Sequence, residues 1–181
     1  HIAKPSFPEY LASQLRRYRQ GLAERLELEI VETAAVGQLD DVAEIMERCA
    51  ELGVTFSLDD FGTGYSSLTH FSSLPVNVLK IDQGFVRRLM NDARNLDIVE
   101  GVVQLARALG RPVVAEGVES QDQFDALRSM QCPEAQGFWF CRPVPAIEAG
   151  RLLQIGDGGA DEFGGSSVNR RDGTLAAPIG P

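Results

Sequence analysis

Two aspartates in succession, Asp59 and Asp60, close an apolar run and are followed at once by Phe61, Gly62, Thr63 and Gly64, in the stretch VTFSLDDFGTGYSSL of residues 54–68. An apolar run that ends in acids and then turns on glycine is a buried strand delivering carboxylates to its C-terminal tip. Adjacent carboxylates there want a cation: two like charges so close raise each other's pKa unless a metal ion, a proton or a basic side chain neutralises them. A solvated Asp-Asp turn would read the same way over these few residues. What favours chemistry is repetition, because other apolar segments also end in polar groups: Glu29 in LELEIV, Lys80 and Asp82 in VLKID, Glu116 and Glu119 in VVAEGVE, and Gln136 in AQGFWF.

The elements that must position these groups follow from the periodicity. Residues 7–20 place Tyr10, Leu11, Leu15 and Tyr18 at helical spacing, and Gly21 stops them. Residues 26–31 alternate, a strand with Glu29 on one face and Leu28 and Ile30 on the other. Leu39, Val42, Ile45, Met46, Cys49 and Leu52 form the stripe of a helix over 37–52 that Gly53 caps. A Ser-rich loop holding a short helix follows the Asp-Asp strand, and Pro75 leads into a strand over 76–81. A helix over 96–109 ends at Gly110, and a short strand over 112–115 follows. Ser120 and Gln123 make a capping box for a helix bearing Phe124, Leu127 and Met130; a strand over 135–140 and a helix over 145–154 come last.

Strands alternating with helices across short loops predict an α/β fold with a parallel sheet. Five successive strand tips converging on one polar site is the arrangement of a TIM-like (β/α) barrel. An open doubly wound sheet would concentrate its site at one switch point, and no G-x-G-x-x-G follows a strand. The chain, 181 residues and 44% hydrophobic, fits one domain over 1–155. Seven of its 18 glycines crowd into 156–181, which reads as a flexible tail. Within that tail Gly158 to Phe163, GGADEF, looks like a diguanylate cyclase signature with an alanine inserted, a coincidence since no cyclase-sized domain surrounds it.

A net charge of −9 excludes a general nucleic-acid-polymer surface and implies that a phosphate-bearing ligand would be bridged by metal ions. Three cysteines without C-x-x-C spacing, with only His1 and His70 beside them, argue against zinc and a disulfide framework and for reduced, cytoplasmic thiols. No apolar run is long enough to span a membrane. The start at His1, without methionine, reads as a fragment, an expression product or a processed product.

The pieces LELEIVET, DDFGTGYSSL, LKID, VVAEGVE and QGFWFCRP, in this order, closely resemble the EAL domain, the module that hydrolyses cyclic di-GMP to linear pGpG. A kinase DFG reading of Asp60, Phe61 and Gly62 fails for want of an H-R-D loop. The resemblance implies that Glu29, Asp59, Asp60 and Glu116 are oxygen ligands of two Mg²⁺ or Mn²⁺ ions. It implies that Lys80 orients or deprotonates the attacking water, with charge compensation as its simpler role, and that Gln136 holds that water. Glu32 resembles the glutamate that braces the loop after Phe61. Glu119 reads as a helix N-terminal acid, Asp82 as structural, pairing with Lys80, and Phe138, Trp139 and Phe140 as core or pocket wall.

The family's Glu-Ala-Leu strand and its ligand-asparagine strand have no counterpart here, so about five of eight barrel strands are expected, with weak activity or none. Its rival is a catalytically inactive module that binds cyclic di-GMP or a protein. An open barrel exposes strand edges on both sides, which predicts a homodimer or pairing with a missing N-terminal segment.

Overall fold

The computed structural model describes residues 2–18, 20–31, 39–62, 74–155 and 177–178. Helix α1 (Phe7–Leu15) precedes strand β1 (Glu27–Val31), and helix α2 (Leu39–Ala50) leads to β2 (Thr55–Phe61). Then come β3 (Val78–Ile81), α3 (Gln83–Arg87), α4 (Ala93–Ala108), β4 (Val113–Ala115), α5 (Gln121–Ser129), β5 (Glu134–Ala135) and α6 (Ala146–Ile155). The last described element is β6 (Ala177–Pro178). The sheet order is β1-β2-β3-β4-β5-β6, parallel from β1 to β5 and antiparallel only at β6. This is the expected α/β fold with a five-stranded parallel sheet, an arc of a barrel.

Alternation sorts the strands into two faces. Ile30, Phe56, Leu58, Leu79, Ile81, Val113 and Ala115 are all buried and share one core with Val42, Ile45, Met46 and Cys49 of α2, Val99, Val102, Val103 and Ala106 of α4, and Phe124 and Leu127 of α5. These three helices therefore spend their apolar stripes on the sheet's outer face. The other face of the same strands carries Glu29, Ser57, Asp59, Lys80 and Val114.

Several boundaries differ from the sequence expectation. The first helix ends at Leu15, short of residue 20. Helix α3 was not expected; the Asp82 carboxylate caps it by accepting from the Gly84 N–H at 2.9 Å. Asp92 likewise caps α4, which begins at Ala93 rather than at residue 96. The capping box of Ser120 and Gln123 is present as expected. The strand expected over 135–140 stops at Ala135, because the backbone turns: the Phe140 and Cys141 N–H groups both donate to the Gly137 carbonyl. The edge beyond β5, expected to be open, pairs with β6. Glu32, the Ser-rich loop with its short helix, and the glycine-rich tail apart from Ala177–Pro178 lie outside the described residues. All three cysteines are free, and burial pushes the Cys132 thiol up to about 12.

Candidate metal and phosphodiester site

The site lies at the C-terminal ends of the parallel strands. Register puts Glu29 of β1 level with Ser57 of β2, and Val31 level with Asp59. Lys80 of β3 lies level with Val114 of β4, and Glu116 follows one residue after β4 ends. The Lys80 ammonium, on a residue only 6% exposed, lies 2.5 Å from Glu29 Oε1, 2.6 Å from Glu116 Oε1 and 3.8 Å from Asp59 Oδ1. Three strand spacings separate β1 from β4, about 14 Å in a flat sheet. That one ammonium touches acids from both gathers their carboxylates on the sheet's inner face, the side that lines a barrel.

Burial on its own would lower the pKa of Lys80. Hydrogen bonds to Glu116 and Glu29, with the charges of Glu116 and Asp59, outweigh it and push the net value up, so the side chain is an ammonium throughout the physiological range. Glu116 moves up because burial disfavours its charge, and Asp59 and Glu29 add repulsion that Lys80 only partly offsets.

Asp60 reaches the site by a backbone irregularity. In a regular strand Asp59 and Asp60 would face opposite sides. Here the β2–β3 register shifts between Leu58 and Phe61, and Asp60 adopts φ 56°. A bulge of this kind re-aims a side chain, and Asp60 ends within the field of Asp59, Lys80 and Asp82. Its pKa is raised, first by burial, then by the charges of Asp59 and Asp82 and a hydrogen bond with the Asp82 carboxyl, against the opposing pull of Lys80. Asp82 thus caps α3 and meets Asp60, whereas the ion pairs of Lys80 run to Glu29, Asp59 and Glu116.

Gln136 arrives from the turn after β5. Its Nε2 donates to Glu116 Oε1 at 2.7 Å, and its backbone N–H donates to the Ala115 carbonyl at 2.9 Å. Gly137, at φ 156°, lets the chain lie directly on Val118; a Cβ there would sit 2.2 Å from the Val118 carbonyl oxygen. A cleft of about 340 Å³ opens beside these groups, lined by Glu116, Gln136, Arg87, Glu119, Phe138 and Arg142 among others. Glu119 accepts from Arg87 Nε at 3.2 Å, and the Arg142 guanidinium stands 4.7 Å above the Phe138 ring. Phe140 packs edge-on against Phe124, as core, while Trp139 is 43% exposed and belongs to neither core nor cleft.

Sequence reasoning missed Arg87, Arg142 and Gln123. Gln123 is buried; its Oε1 accepts from the Glu119 and Ser120 N–H groups and its Nε2 donates to the Val86 carbonyl, tying the Glu116 loop to α3. Its place in the capping box was the available signal, but only for the bond to Ser120. Arg87 carries no local pattern, whereas Arg142 lies inside the QGFWFCRP stretch but was given no role there.

The all-oxygen donor set of Glu29, Asp59, Asp60 and Glu116 suits a hard divalent cation and offers no soft ligand. Beneath it, Ser57 Oγ is buried without a hydrogen-bond partner. Among the described residues no three acids, histidines or cysteines form a group that could hold a metal as they stand; the acids close on the Lys80 ammonium instead.

A model of the EAL domain matches residues 1–143. The cyclic di-GMP phosphodiesterase NbdA of Pseudomonas aeruginosa is 42% identical over 129 residues, covering 71% of this chain and 16% of NbdA. Among solved structures, the PaMucR phosphodiesterase in complex with c-di-GMP superposes with a TM-score of 0.77 at 38% identity, over 81% of this chain and 59% of that one. BlrP1 of Klebsiella pneumoniae, in a manganese/cy-diGMP complex, gives 0.69 at 30% identity, over 78% and 36%. The chain thus spans about a sixth of the length of the curated relative. With acids from successive strand ends gathered on one lysine, and a family match over most of its length, the chain belongs to the EAL domain family.

Proposed function

We propose that this chain supplies the acidic half of a phosphodiesterase site that opens cyclic di-GMP to linear pGpG. The observation that supports it is the convergence of Glu29, Asp59 and Glu116 on Lys80 at the strand ends, with Gln136 bonded to Glu116. Glu29, Asp59, Asp60 and Glu116 would hold two Mg²⁺ or Mn²⁺ ions, which supply a hydroxide-generating Lewis acid and charge neutralisation at phosphorus. Lys80 orients the attacking water and balances the surrounding negative charge. Gln136 keeps Glu116 in place and offers its amide to that water. Glu32 braces the loop after Phe61. Residues 1–155 act as the domain and 156–181 as its tail, in the cytoplasm; among the described residues no helix is long and apolar enough to cross a membrane. The outer edge of β1, where Val31 is 40% exposed, is where a second copy or a further segment of chain would pair.

The test is incubation of the 181-residue chain with cyclic di-GMP and Mn²⁺, with products resolved by chromatography. Slow formation of pGpG that disappears in Glu116→Gln is the expected result. Calorimetric binding of cyclic di-GMP in Ca²⁺ without pGpG in Mn²⁺ would establish a receptor in its place, and neither binding nor turnover would overturn both readings.

A further inference from the structure

Lys80 is held more tightly than the orienting of a water requires. Among the described residues the ion pairs of Glu29, Asp59 and Glu116 all run to this one ammonium. The oxygens it contacts most closely are Oε1 of Glu29 at 2.5 Å and Oε1 of Glu116 at 2.6 Å, and Gln136 meets the same oxygen of Glu116. An ammonium has three N–H donors and no acceptor, so it competes with a metal ion for the lone pairs of the oxygens it meets. The backbone of β3 is fixed between its neighbours, Leu79 against Val113 and Ile81 against Ala115. The four-carbon stem of Lys80 is the part free to withdraw.

We propose that Lys80 is the resident counter-cation of the metal-free site, holding Glu29, Asp59 and Glu116 together until a divalent ion displaces its ammonium from their oxygens. The inference rests on the reading of these acids as metal ligands and adds an exchange of cations to it. Without such a cation, carboxylates brought from three strands would repel one another and spread. With it, the site stays assembled, and metal affinity is set against the ammonium it displaces.

The composition makes the exchange measurable, because Lys4 and Lys80 are the only lysines in the chain. Limited acetylation of the full chain with acetic anhydride, read by peptide mass spectrometry, gives the Lys80-to-Lys4 labelling ratio. That ratio should rise severalfold on addition of saturating Ca²⁺, as Lys80 leaves its carboxylates. In parallel, Mn²⁺ binding followed through the electron paramagnetic resonance of free Mn²⁺ should be at least about tenfold tighter in Lys80→Met than in the wild type, since the competing charge is gone. The metal-free variant should also melt lower.

A labelling ratio unchanged by Ca²⁺ in a chain that binds it overturns the inference, whether or not Lys80→Met folds. Equal Mn²⁺ affinity in a folded variant overturns it too, and both results leave the metal-ligand reading standing. Absence of Mn²⁺ and Ca²⁺ binding in wild type and variant alike overturns that reading and this inference together.

Discussion

Replacing Gly137 by alanine should loosen the site from the side of the turn after β5. The added Cβ would lie 2.2 Å from the Val118 carbonyl oxygen and 2.3 Å from the Val118 nitrogen, and both are backbone atoms with no rotamer to escape through. Residues 136–139 must therefore lift off Val118. Two hydrogen bonds go with them, Val118 N–H to the Gln136 carbonyl at 3.0 Å and Trp139 N–H to the Val118 carbonyl at 2.9 Å. Groups left without partners cost about 1–3 kcal/mol each, so a net loss of about 2–5 kcal/mol is expected. At about 2–4 °C per kcal/mol for a chain of this size, the melting temperature should fall by about 4–20 °C. Gln136 moves with the segment, so its 2.7 Å bond to Glu116 breaks as well. Circular dichroism melts of wild type, Gly137→Ala and Gln136→Ala separate the two effects, since Gln136→Ala removes the side chain without displacing the backbone. A Gly137→Ala protein melting within about 1 °C of wild type would show that the turn can be displaced freely and refute the packing argument.

Two further outcomes follow from the same geometry. Because burial and the charges of Asp59 and Asp82 raise the Asp60 pKa above 3.8, the folded chain binds that proton more tightly than the unfolded one; the stability it adds is present below about pH 4 and lost as pH rises through the raised value. In EDTA, wild-type stability measured against Asp60→Asn should decline from pH 4 upward, and a difference growing with pH would contradict this. Gln123→Leu strands the Glu119 and Ser120 N–H groups and the Val86 carbonyl and should cost about 2–4 kcal/mol by urea denaturation. Gln123→Glu, which keeps the acceptor but sets a carboxylate against the Val86 carbonyl, should recover only part of it.

What was legible in the sequence were the features whose signal is local. Leu28 and Ile30 flanking Glu29, or the stripe of Val99, Val102, Val103 and Ala106, state face and period in a few residues, so the strand–helix order and the inner placement of Glu29 and Lys80 could be read directly. Features set by contacts distant in the chain could not. The strand expected after Ala135 fails because Gly137 rests on Val118, a contact that no property of the apolar run Phe138, Trp139 and Phe140 announces. Helix α3 is five residues long, too short for a periodicity argument, though Asp82 two residues ahead of Gly84 was a readable cap. The meeting of Asp60 with Asp82 depends on a register shift against β3, which alternation alone predicts away. The pairing of β5 with Ala177–Pro178 joins the sheet to a glycine-rich stretch that composition marks as tail.

The strand order, running β1 to β5 without a skip, also bears on how the molecule assembles. From β1 to β5 each new strand can dock on the one just made, so each of these pairings joins neighbours in the chain order and the entropy cost of closing each loop stays modest. The acidic centre obeys another rule. Its Lys80–Glu29 contact joins residues 51 apart in sequence, and Glu116 enters only after β4 has docked. Repulsion among the carboxylates is therefore deferred until nearly the whole sheet exists to oppose it, and a chain stalled at two or three strands carries separate surface acids rather than a half-built site. Burial of the Lys80 ammonium is in this sense a marker of completed folding, observable in a refolding experiment as late protection of Lys80 against the exposed Lys4.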